Sequence, residues 1–142
     1  MSAWTHVAGH IRVDALVFDE SLIDDYRKVL ESTIGKPVSY EELDTEKAEN
    51  SRVPKGSEGS LCIKYNHNDL CDVAFWEISI WGDLRDYGDD DINSNLIPWF
   101  KDICKVLPIR GAILEAHTDL GGNQYIVTPS NVITRVYEED KN

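Results

Sequence analysis

Trp4-Thr5-His6-Val7-Ala8-Gly9-His10-Ile11-Arg12-Val13-Asp14-Ala15-Leu16 decides the fold. Val7, Ile11, Val13 and Ala15 fall on one side of an alternating pattern, and Trp4, His6, His10, Arg12 and Asp14 fall on the other. Successive side chains of an extended chain point to opposite faces, so this stretch reads as a strand with one face in the core. The next apolar residues change period. Leu22, Ile23, Tyr26, Val29, Leu30 and Ile34 recur at helical spacing, with Asp19 or Ser21 placed to cap the helix and Gly35 and Pro37 placed to stop it.

The same two signals repeat downstream. Ser60–Tyr65 puts Leu61, Ile63 and Tyr65 on one face, and Asn66-His67-Asn68-Asp69 reads as the turn into a second strand, Asp72–Trp81. A second helix carries Leu96, Trp99, Phe100, Ile103, Val106 and Leu107 on its apolar stripe, and Pro98 places its start near Ser94 or Asn95. Arg110–His117, Gln124–Pro129 and Asn131–Tyr137 read as strands, the first two joined at Gly121-Gly122-Asn123. Two helices that each follow sheet strands predict an α+β sandwich, with both helices on one face of an antiparallel sheet. The order predicts a ferredoxin-like arrangement with extra C-terminal strands.

One domain over residues 1–142 is expected from the length. Within it, 36–59 is an acidic loop excursion, where Glu41, Glu42, Asp44, Glu46 and Glu49 crowd together and Tyr40–Ala48 has the composition for a short helical turn. An apolar fraction of 42% is that of a soluble globular chain, and no apolar run is long enough to span a bilayer. A cytoplasmic location is expected. The three cysteines, Cys62, Cys71 and Cys104, show no CxxC spacing and predict buried or half-buried thiols in a reducing compartment.

The net charge of −12 disfavours phosphate backbones and anionic membranes, and favours a partner with a basic surface. Motifs for nucleotide phosphate loops, dinucleotide binding, zinc proteases and nucleophile elbows are absent from the sequence. Gly56-Ser57-Glu58-Gly59 reads as a flexible turn. The run from Asp83 to Asp91 fails as an EF-hand, because alignment on Gly88 puts Arg85, Tyr87 and Ser94 at ligand positions. His6 and His10 lie about 13 Å apart along a strand, too far to share a metal ion. His117 approaches His6 or His10, together with Glu115, only where their two strands are neighbours. No cofactor or metal is expected.

Two surfaces stand out as candidates. The first is the acidic stretch Asp83, Asp86, Tyr87, Asp89, Asp90 and Asp91, with Trp81 beside it, which fits a basic protein partner. The second is the sheet face opposite the helices, bearing the aromatics Trp4, Phe75 and Trp81 with His6, His10, Arg12, Glu77 and His117. Such a face serves as a ligand platform or dimer interface, or is covered by the long loop or the C-terminal strands. A homodimer that buries it is expected. Arg12 is the anion partner of a small-ligand or nucleotide-binding reading, and His117, Glu115 and Asp119 are the groups for a small hydrolase.

Met1-Ser2-Ala3-Trp4-Thr5-His6-Val7 with Ile11-Arg12-Val13-Asp14-Ala15, then Gly56-Ser57-Glu58-Gly59-Ser60-Leu61, then Ile80-Trp81-Gly82-Asp83-Leu84-Arg85-Asp86-Tyr87-Gly88, are similar to small uncharacterised proteins carried by bacteriophages and prophages. The resemblance runs in order through most of the chain and carries over no activity or catalytic residue. It implies a context, the bacterial host cell, where small acidic phage proteins inhibit host factors, defence systems included. A non-enzymatic interaction protein is therefore the leading expectation.

Overall fold

A computed structural model describes residues 3–14, 20–37, 41, 51–68, 75–119 and 122–136. Strand β1 (Trp4–Val13) is followed by helix α1 (Glu20–Ile34), strands β2 (Cys62–Asn68) and β3 (Phe75–Arg85), a second helix, and strands β4 (Ile109–Thr118), β5 (Asn123–Val127) and β6 (Val132–Val136). The fold is α+β. All six strands form one antiparallel sheet in the order β2-β3-β1-β4-β5-β6, so the N-terminal strand lies between β3 and β4.

The alternation in β1 works as its sequence requires. Val7, Ile11 and Val13 are buried, and their neighbours across β3 and β4 include Ile78, Trp76 and Ala116. Leu30 and Ile34 of α1 join the same hydrophobic cluster as Trp99, Phe100 and Ile103 of the second helix and Leu114, Tyr125 and Val127 of the later strands. The buried Trp99 indole donates to the Ile34 carbonyl at 3.0 Å, which satisfies one of the open carbonyls at the end of α1. Gly35, at φ 105°, ends that helix as expected. Leu22, Val29 and Val106 are solvent-exposed, so each apolar stripe is narrower than its sequence spacing implies.

Four boundaries differ from expectation, each for a pairing reason. β3 continues past Trp81 to Arg85, because Trp4–Val7 of β1 supplies a ladder partner for every residue of Gly82–Arg85. Asn66, His67 and Asn68 are strand, paired with Glu77, Trp76 and Phe75, although their composition is that of a turn. The second helix, α2, opens as one α-turn (Asp89–Asp91), widens into a π-helical segment (Ile92–Leu96) and returns to α geometry (Ile97–Val106). It therefore starts ahead of Ser94. Pro98 has no N–H and cannot sit inside a regular α-helix; the π segment places it in the first turn of the α segment that follows.

The fourth difference lies in the predicted loop, where Val53 and Pro54 are buried and the turn 56–59 is tied to the end of β3. Ser57 N–H donates to the Arg85 carbonyl at 3.0 Å, and Arg85 N–H donates to the Glu58 carbonyl at 3.0 Å. Gly56 and Gly59 allow this approach. A Cβ on Gly59, which sits at φ 81°, would stand 2.1 Å from the Asp83 carbonyl oxygen. Cys62 is exposed and Cys104 half-buried, so only the second matches the expected thiol environment. The possible turn at Tyr40–Ala48, apart from Glu41, and Cys71 lie outside the described residues. Among the described residues, no helix is long and apolar enough to cross a membrane.

Candidate interaction surface

Antiparallel partners share a face, so the register defines the side of the sheet opposite the core. One row across it runs Cys62, Trp81, Ala8, Glu115, Ile126 and Ile133, from β2 to β6. The next row on one side holds Asp83, His6, His117, Gln124 and Arg135. On the other side stand Lys64, Ser79, His10 and Ile113, and beyond them Asn66, Glu77 and Arg12. Large apolar side chains are exposed across this face: Trp81 on β3 is 45% exposed, Ile113 on β4 49% and Ile133 on the edge strand β6 52%.

The three aromatics expected on this face have different fates. Trp4 is half-buried, with the Gly59 end of the 56–59 turn lying against its ring. Phe75 is half-buried under the Arg12 guanidinium, 4.1 Å from the ring centroid. Trp81 alone of the three is exposed. Among the described residues, the loop thus covers one end of the face and leaves the centre open.

The ionisable groups largely satisfy one another. His6 donates from Nδ1 to Asp83 Oδ1 and from Nε2 to Asp119 Oδ1, each at 2.5 Å. These bonds link β1 to β3 and to the residue after β4. They favour the charged ring: the Asp83 hydrogen bond is the largest cause raising its pKa above the usual histidine value, Asp119 adds to it, and partial burial opposes both. The His117 ring lies 5.1 Å away, centroid to centroid, because β1 and β4 are neighbours. Glu115 accepts from Gln124 Nε2 at 2.6 Å, and Arg12 donates to Asp14 at 3.2 Å. His10 stands 3.9 Å from Glu77.

This geometry bears on the chemistry. Both nitrogens of His6 are taken up by carboxylates, so the ring in its protonated form has no lone pair for proton abstraction or metal ligation. Among the described residues, no three His, Cys, Asp or Glu side chains are arranged to hold a metal ion. A groove between the helices, lined by Ser32, Thr33, Arg52, Trp99, Asp102 and Val106, has a volume of about 290 Å³ and gathers no acid–base pair.

The acidic stretch is dispersed by the fold. Asp83 belongs to β3 and bonds His6. Asp86, at φ 54°, accepts from Ser57 Oγ at 2.7 Å. Tyr87, expected as an apolar anchor for a partner, is 4% exposed and packs in the core. Asp89 accepts from the Tyr125 hydroxyl at 2.7 Å, and Asp91 accepts from Gly88 N–H at 3.1 Å. Asp90 is exposed on the first turn of α2. The described residues carry sixteen acidic against twelve basic side chains, −4 of the total −12, so −8 lies outside them.

Sequence reasoning placed Trp81 on this face and missed Ile113, Ile126 and Ile133 as its companions. Their alternation was visible, but their meeting depends on the strand order. No protein-family profile, curated protein or solved structure matches the chain.

Proposed function

We propose that this protein acts by binding another protein, without catalysis, and that the open face of the sheet is its contact surface. Trp81 carries the reading. A tryptophan 45% exposed in mid-strand, on the same face as exposed Ile113 and Ile133, puts large apolar side chains in water among charged ones. That is the composition of an interface core and rim. The small-ligand reading is weaker, because Arg12 is taken up by Phe75 and Asp14. The hydrolase reading is weaker because His6, whose ring lies 5.1 Å from that of His117, has both nitrogens engaged by carboxylates.

The acidic excess favours a basic protein among the partners, and the resemblance to phage-carried proteins supports a host factor in that role. The order β2-β3-β1-β4 of the first four strands supports the ferredoxin-like reading, with β5 and β6 as an extension of the sheet. The test is association in a bacterial lysate by the wild type and by Trp81→Ser and Ile113→Lys variants with native circular dichroism. Cross-linked species should fall at least tenfold in both variants. Unchanged cross-linking in both would defeat the reading.

A further inference from the structure

We infer that the open face docks a second copy of this chain, sheet against sheet; this rests on that face being the contact surface. The argument is electrostatic and geometric. In a chain of net charge −12, a face that meets its own copy must carry little net charge, since like-charged surfaces brought together repel. The open face meets that condition. Arg12, Lys64, Arg85 and Arg135 stand against Glu77, Asp83, Glu115 and, at its margin, Asp119, and Asp14 and Arg110 pair with each other at 2.9 Å.

Both signs stand on each side of the row that runs through Trp81 and Ile133, so among the described residues neither side presents a field of one sign.

The face also has the necessary extent. Six strands at about 4.8 Å spacing set the outer strand axes about 24 Å apart, and allowing for the shorter outer strands its area is roughly 600 Å². Two such faces bury at most about 1,200 Å² together, less the end that the loop covers, which is the range of a weak, reversible dimer. The contact is isologous, each copy offering Trp81, Ile113 and Ile133 to the other. Ala8, the exposed neighbour of Trp81 across β1, and Ser79 leave low ground beside the indole for the second copy's ring.

Light scattering and sedimentation of the purified full chain test the inference. The wild type at about 50 µM should run near twice 16.1 kDa. Trp81→Ser and Ile113→Lys should each weaken the dimer at least tenfold, and Val106→Lys, at a more exposed apolar site on α2, should leave it unchanged. A 16.1 kDa wild-type particle overturns the second copy as occupant. So does a dimer that both sheet variants leave intact. If the purified chain is monomeric while lysate association still depends on Trp81, another protein occupies the face and only the present inference fails; if neither depends on Trp81, the contact-surface reading fails as well.

Discussion

His6 in the central strand donates through Nε2 to Asp119, the residue just beyond β4, at 2.5 Å. Asp119 in turn donates its backbone N–H to the Trp4 carbonyl at 3.0 Å, so the end of β4 is fastened to β1 twice.

A pH dependence follows from this contact. The His6 pKa is raised above 6.5 in the folded state, first by Asp83 and then by Asp119. Its contribution to stability is therefore complete below pH 6.5 and is lost as pH rises through the folded value. Both carboxylates are well exposed, so solvent screening holds the effect to about 1 kcal/mol or less. Urea unfolding of wild type and His6→Gln between about pH 5.5 and 9 should show a gap that closes as pH rises. A gap independent of pH would assign the clamp no ionic part.

The glycines of the 56–59 turn should be intolerant of a side chain. A Cβ at Gly56 would stand 2.4 Å from the Arg85 carbonyl oxygen, and Gly59 adds a positive φ. Gly59→Ala is expected to cost about 1–3 kcal/mol, read as a lower urea midpoint. Ser57→Ala, between them and exposed, loses only the hydroxyl's bond to Asp86 and should cost no more than about 1 kcal/mol.

Core and surface apolar residues of the two helices should separate cleanly. Phe100 is fully buried and Val106 is 69% exposed on the same helix. Phe100→Ala is expected to destabilise by about 3–5 kcal/mol, and Val106→Ser by less than about 0.5 kcal/mol.

Neighbouring aspartates at the start of α2 should differ as well. Removing Asp89 leaves the Tyr125 hydroxyl without its 2.7 Å acceptor, so Asp89→Ala should cost about 1 kcal/mol. Asp90→Ala, at an exposed position, should stay within about 0.5 kcal/mol. Thermal unfolding of the two variants side by side checks the contrast.

The two thiols with described surroundings should react at different rates. Burial pushes the Cys104 thiol up to about 11, and Lys101 opposes it only in part. At pH 8 about one Cys104 in a thousand is thiolate. Exposed Cys62 should therefore be alkylated first, with peptide mapping of the modified chain as the readout.

How much of this was legible in the chain differs by feature. The alternation of Val7, Ile11 and Val13 and the spacing of Leu30 and Ile34 are local properties, and their elements form as read. The last turn of β3 was not legible, since Gly82-Asp83 has the composition of a loop. Its strand character comes from the ladder with Trp4–Val7, some 78 residues away in sequence. The start of α2 was hidden for a different reason: Pro98 argues for a helix beginning near it, and a π segment removes that limit.

The sequence by itself determined the α+β class, the two helical stripes, and which side of each strand is apolar, because these follow from periods of 2 and 3.6 that need no distant partner. The tertiary structure alone decided which polar groups meet. Trp81, Ile113 and Ile133 stand on one face of one sheet, Tyr87 goes inside, and Asp83 and Asp119 close on His6, because of the order in which the strands are paired. Pattern assigns a residue to a face; only the order and register of the strands bring together residues separated by tens of positions along the chain.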